Sequence, residues 1–244
     1  MSRLMAWFGI VALAASQSSA SAQVAAKTLV EQAVEAHGGG AALVRTKVFI
    51  RSAKGEITSF GARASVTLEL TYQAPDKGRW AYELGAGGQK VMLAVSGDKG
   101  IRFTGGAANQ MTKQEMEDVI ILTHFHHVIG LVPLLDGSHE LTALPEAKVG
   151  DAPALGVKVA AKGKPEIKLW FDKKTNLLVK AERPGRQGGI DVTNEYFFSD
   201  FKGFDGVKLP GKELEMLNGR KIAEWIISDY KFPQRVDEAM FTKP

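Results

Sequence analysis

Thr112-Lys113-Gln114-Glu115-Met116-Glu117-Asp118-Val119-Ile120-Ile121-Leu122-Thr123-His124-Phe125-His126-His127-Val128-Ile129-Gly130-Leu131-Val132-Pro133 is the stretch that decides the fold. Thr112 and Glu115 have the spacing of a capping box, in which the threonine hydroxyl accepts from the third residue of the helix and the glutamate reaches back. Pro133 ends the segment, because proline lacks the amide a helix needs and clashes with the preceding turn. From Val119 to Leu122 the chain is apolar at consecutive positions, so more than one face must be covered. A helix lying on a surface needs only one apolar stripe; this one is expected to be enclosed by a sheet.

On both sides of the segment the texture is that of strands. Before it, runs rich in Val, Ile, Phe, Tyr and Trp lie at 47–57, 62–73, 79–84, 90–96 and 101–104, separated by Pro75-Asp76, Gly87-Gly88 and Gly97-Asp98. After it, strands are predicted at 139–144, 155–161, 166–171, 177–182, 191–201, 207–217 and 221–232. Turns are expected at Asp172 to Asn176, at Asp205-Gly206 and at Asn218-Gly219, a pair that tolerates positive φ at both positions. Successive strands without intervening helices pair antiparallel, since parallel pairing needs long crossovers. The stretch 183–189 is Gly-rich and is expected to be a loop, too short to act as a linker between domains. The prediction is a mainly β (α+β) chain with one curved antiparallel sheet around an inserted helix, preceded by an N-terminal helix. In 221–232, Ile222, Ile226 and Tyr230 alternate with Ala223, Trp225 and Ile227, so both faces are apolar. Core packing and a ligand-lined hollow both account for that pattern.

The first 22 residues have the features of a cleavable export signal: Arg3, an apolar stretch from Trp7 to Ala15, and Ala20-Ser21-Ala22 before Gln23. Cleavage is expected between Ala22 and Gln23, leaving a single domain over 23–244. The apolar stretch is short of the roughly 20 residues of a membrane-spanning helix. With no cysteine there is no acylated anchor, disulfide or thiolate metal site, so a soluble periplasmic or secreted product is expected. Loss of Arg3 lowers the formal charge from +4 to +3, and the cations are scattered, which argues against nucleic acid as a partner. Thr28 and Glu31 suggest another capping box, opening a short helix with Val30, Ala33, Val34 and His37 on one face before Gly38-Gly39-Gly40. These glycines follow a helix, so they read as a C-cap and not as a phosphate cradle. No cofactor is expected.

His124 and His127, three apart on the central helix, are a candidate metal pair, although the His-Glu-x-x-His pattern is missing and structural histidines are the simpler expectation. No Gly-x-Ser-x-Gly elbow exists and cysteine chemistry is excluded, so no enzyme is expected. Glu213 with Glu215, and Glu115 with Asp118, are carboxylate pairs that are expected to face water. Lys202, Lys208, Lys212, Arg220 and Lys221 suit strand edges, with anionic lipid headgroups or an acidic partner as the alternatives.

The C-terminal half carries Trp170-Phe171-Asp172-Lys173-Lys174-Thr175-Asn176-Leu177-Leu178, then Ser199-Asp200-Phe201 and Asp205-Gly206-Val207-Lys208-Leu209-Pro210. Asn218-Gly219, Ser228-Asp229-Tyr230 and Phe241-Thr242-Lys243-Pro244 follow. With the export signal, the first helix ending in Gly-Gly and the helix after five strands, the chain resembles the LolA-like superfamily of bacterial envelope proteins, nearer to branches outside the lipoprotein carriers themselves. The resemblance implies an unclosed antiparallel β-barrel wrapped around helices, with an apolar concavity that holds acyl chains in the carriers. On this basis the expected function is binding or carriage of a lipid or acylated ligand, with transient membrane contact and an envelope membrane protein as a further partner. The expected lining is Trp80, Tyr82, Leu93, Phe103, Ile120, Leu169, Phe171 and Trp225. The rival expectations are a structural or interaction module of the envelope and a metal-dependent hydrolase centred on His124 and His127.

Overall fold

In the computed structural model, residues 9–59, 62–187 and 189–243 are described, with side chains from residue 23 onward except that of Ser59. The export signal expected over 1–22 lies outside the residues described with side chains.

Fifteen strands dominate the described residues. β1 (Val48–Ser59), β2 (Ala62–Gln73), β3 (Lys77–Leu84), β4 (Gln89–Ser96), β5 (Lys99–Thr104) and β6 (Ala107–Gln110) form a first meander. β7 (Glu140–Val149), β8 (Ala152–Ala160), β9 (Ile167–Asp172), β10 (Leu178–Gln187) and β11 (Ile190–Ser199) form a second. β12 (Lys202–Phe204) and β13 (Val207–Leu209) make a separate small hairpin, and β14 (Lys212–Leu217) and β15 (Arg220–Lys231) close the chain. Pairing of β1 with β15 joins the meanders into one 13-stranded antiparallel sheet, ordered β6-β5-β4-β3-β2-β1-β15-β14-β11-β10-β9-β8-β7. Its ends, β6 and β7, do not pair, so the sheet is open.

The helices are α1 (Gly9–Ala36), the single turn α2 (Gly40–Leu43) and α3 (Lys113–Ile129). The capping box of α3 is present: Glu115 N donates to Thr112 Oγ1 at 3.2 Å and Thr112 N to Glu115 Oε2 at 2.7 Å. α3 touches β3 and β4 on one side and β9 and β10 on the other. β3 and β10 are six strand spacings apart in the sheet, which is ~29 Å of sheet at about 4.8 Å per strand. A helix is only about 10–12 Å across. The sheet therefore curls around α3, and Val119, Thr123, Phe125, His126 and Val128 are buried by it. In the chain, α3 and the 3-10 turn after it lie between β6 and β7, the two edge strands of the sheet.

On α1, Ala26, Leu29, Val30, Ala33 and Val34 are buried at helical spacing, against β7 and β8. The expected start at Thr28 is corrected: Thr28 sits mid-helix. Among the residues described with side chains, the first buried position on α1 is Ala26. The C-cap expectation holds. Gly38 and Gly39 have φ of 117° and 83°, and a Cβ on Gly38 would lie 2.3 Å from the Gly206 carbonyl oxygen.

Three local expectations are corrected. The Gly-rich stretch 183–189 is mostly the end of β10, paired with β11. β9 stops opposite Glu182, so Pro184 occupies a free edge, where a missing amide is tolerated. The strand predicted at 207–217 is broken at Pro210-Gly211 into β13 and β14. Helix α3 stops at Ile129, before a short 3-10 turn, Val132–Leu135. The Asn218-Gly219 hairpin has the expected positive φ at both residues, 48° and 74°.

Candidate functional site

A cavity of about 360 Å3 opens where the last turn of α3 and the 3-10 turn meet one end of the half-barrel. Its apolar wall includes Phe49, Ile129, Leu131, Val132, Leu178, Phe198, Phe201, Leu209, Tyr230 and Phe232. Phe49 and Arg51 are two apart on β1 and both point inward, as strand alternation requires. The β1–β15 register shifts between Ser52 and Ala53, immediately after Arg51, and such a bulge re-aims the neighbouring side chains. Leu131, 1% exposed, has φ 64°, a conformation that bulky residues rarely adopt. It reverses the chain after α3 and so sets the 3-10 turn against the cavity.

The polar members lie deep. Arg51 and Glu213 form an ion pair, Nη1 to Oε2 at 2.6 Å, with side chains 6% and 4% exposed. Burial would lower the guanidinium pKa, but the Glu213 carboxylate reverses this and holds Arg51 charged. Glu213 faces inward, and so does Glu215 two residues on, where it accepts a 2.6 Å hydrogen bond from Trp225 Nε1. The expectation that this carboxylate pair faces water is overturned. Burial and the adjacent Glu213 push the Glu215 carboxyl up to about 7. Burial likewise raises the hydroxyl of Tyr230, beside Arg51, to about 12.

Each histidine has a packing role. His37 contacts the Lys208 carbonyl through Nδ1 at 2.6 Å and accepts from Leu178 N at Nε2, 3.1 Å, tying the end of α1 to β13 and β10. His126 is packed among Phe49, Tyr72, Trp80 and Phe125. Burial, then the charges of Arg51 and Arg183, keep it neutral. His127 Nδ1 is 3.1 Å from the Tyr72 hydroxyl. His124 stacks on His139 with ring centres 6.0 Å apart, and burial lowers it to about 4. Among the described residues no group of three His, Asp or Glu side chains is arranged to hold a metal ion.

None of the eight residues expected to line a hollow borders this cavity. Trp80 and Trp225 are buried with Leu70 and Ile227, and Tyr82, Leu93 and Ile120 pack against that cluster. Leu169 and Phe171 are fully buried in a second cluster with Phe125 and Tyr196. Phe103 is on the opposite face of the sheet, in register with Met92 and through it with Ala81. There it flanks an outer hollow of about 500 Å3 with a charged rim of Lys54, Glu69, Arg79, Glu83 and Lys90. The residues that do line the cavity sit near strand ends and just after α3, where sequence alternation alone cannot separate lining from filling.

An open half-barrel curled around a helix, with a largely apolar hollow at one end, defines the class of this protein. Solved structures of that class share its architecture, and the chain has the LolA-like fold. A LolA superfamily protein from Nitrosomonas europaea superposes with a TM-score of 0.59 at 12% identity, over 89% of this chain and 97% of that one. A DUF1329 family protein from Desulfovibrio piger gives 0.56 at 14% identity, over 88% and 96%. A putative outer membrane lipoprotein-sorting protein domain from Vibrio parahaemolyticus gives 0.53 at 11% identity, over 82% and 94%. No family model matches the sequence, and no curated protein matches it.

Proposed function

We propose that this chain is an exported, non-catalytic carrier of the bacterial envelope, which holds a lipid or acylated ligand in the cavity between α3 and the end of the half-barrel. The observation that carries the proposal is the unfilled apolar volume. Protein interiors are close-packed with few voids larger than a water, and a cavity of about 360 Å3 falls within the range of ligand pockets. Burying ten methylenes there recovers ~8 kcal/mol before the costs of ordering the ligand. That is enough to shield an acyl chain in transit through water. The description of one structural neighbour as a putative lipoprotein-sorting domain supports the same assignment. The export signal supports a periplasmic location, and delivery would call for an envelope membrane protein.

Native mass spectrometry of protein gently extracted from its host should retain an adduct of lipid mass that is lost on unfolding. N-terminal sequencing of that sample should begin at Gln23. A bare protein that also takes up no fluorescent acyl ester would refute the carrier function.

A further inference from the structure

The cavity wall changes from wet to dry along β1. Lys47, Phe49 and Arg51 stand at alternate positions and all three line the hollow. Ala74 N donates to the Lys47 carbonyl at 2.7 Å, so the pairing with β2 already begins at Lys47. Lys47 is exposed, whereas Arg51 is 5% exposed. At about 3.3 Å per residue the step from one to the other is ~13 Å of strand. Lys47 therefore marks the rim of the hollow and Arg51 its floor.

Floor and rim differ in what they accept. At the floor Arg51 and Glu213 answer each other at 2.6 Å, with side chains 6% and 4% exposed. A further charge brought there would lose its water without gaining a partner of its own. At the rim a charged group keeps its water while the tail attached to it is buried, as the long side chains of lysine and arginine themselves do on apolar surfaces. An amphiphile should thus enter tail first and leave its head beside Lys47.

The sign of that head follows from the charges that remain. Burial lowers His37, His126 and His127, so near neutral pH the charged lining groups outside the floor pair are Lys47 and Asp136. Asp136 is turned into its own loop, where its Oδ1 accepts from Ser138 N at 2.8 Å, the pattern of an Asx-turn. Lys47 enters no ion pair among the described residues. The unanswered charge at the rim is positive.

We propose that the cavity takes an amphiphile with an anionic head, a carboxylate or a phosphate, which pairs with Lys47 at the rim while the apolar tail lies along Phe49, Leu209 and Phe232 toward the floor. This rests on the carrier reading and deepens it to the charge of the head and the direction of entry.

Calorimetric titration of the full chain near neutral pH and at low salt compares three probes with the same tail: decanoate, decyl phosphate and decylamine. An exposed ion pair is worth about two- to fivefold in affinity, so at least one anion should bind more tightly than decylamine by that factor or more, and the tighter anion names the head. The margin should shrink in about 0.5 M salt. Lys47→Gln should weaken the anion by about two- to fivefold, and Lys47→Glu should reverse the preference in favour of decylamine. Lys148→Gln, at an exposed position of β7 outside the lining, removes the same formal charge and should change nothing. Decylamine binding as tightly as both anions would overturn the head-group assignment and leave the carrier function standing. So would a preference for the anion that survives in Lys47→Glu, or one that Lys148→Gln reduces as much as Lys47→Gln, since the net charge of the chain would then be its source. Saturable binding of none of the three probes would overturn this proposal, and a lipid adduct in the native mass spectrum would then keep the carrier function alone.

Discussion

Replacing Arg51 with methionine keeps a long side chain on β1 and strands Glu213 without its partner. The ion pair spans 2.6 Å between side chains 6% and 4% exposed, so water cannot take over the lost role. Breaking a buried pair from one side costs about 3–5 kcal/mol, because an uncompensated charge remains inside. With a urea m-value of about 3 kcal/mol per molar, the upper end of the usual range, the unfolding midpoint should fall by about 1–2 M. Arg51→Met with Glu213→Met should recover most of the loss, since replacing both partners by apolar groups is often neutral. Denaturation curves at neutral pH test both statements. A single variant within about 0.3 M of the wild-type midpoint would refute the reasoning.

Glu215→Gln keeps an acceptor for Trp225 Nε1 and removes a carboxyl raised to about 7. The wild type should lose stability as pH rises from the unfolded carboxyl value through 7, so the variant should overtake it by about 1–3 kcal/mol at pH 8 and match it near pH 5; urea titrations at the two pH values will show whether the difference is instead flat. In Gly55→Ala the new Cβ would lie 2.1 Å from the Glu224 carbonyl oxygen and 2.9 Å from the Trp225 ring. Displacing β15 from β1 should cost more than 3 kcal/mol and weaken the near-ultraviolet tryptophan signal, whereas an unchanged spectrum would mean the strands separate freely. Thr112→Ala removes the cap of α3 and should cost about 1 kcal/mol, lowering the melting temperature by about 2–4 °C in a chain of this size, to be read by calorimetry.

The elements with strong local chemistry were legible in the sequence. Thr112 with Glu115 announces the start of α3, and Asn218-Gly219 announces a hairpin whose φ values only such residues adopt readily. The apolar run from Val119 to Leu122 signals a helix covered on several sides. Elements decided by partners were not legible. Pro184 and Gly185 look like breakers, yet they continue β10 because β9 ends beside them and the edge is free. Glu213 looks like a surface residue until β1 brings Arg51 to it across 162 positions of sequence. The lining residues were missed for a related reason. Trp80, Leu169, Phe171 and Trp225 are large and apolar, and such side chains fill space so well that they become core. A hollow survives where strands end and the chain turns, and there a leucine at φ 64° matters more than ring size.

β6 and β7 are consecutive strands in the chain yet form the two rims of the sheet, so the covalent stretch between them, with α3 inside it, links by connectivity two edges that hydrogen bonding leaves apart. Gly130 and Leu131 belong to that link and also to the cavity wall, so the length and turn of one short piece of backbone set both the span from rim to rim and the shape of the hollow.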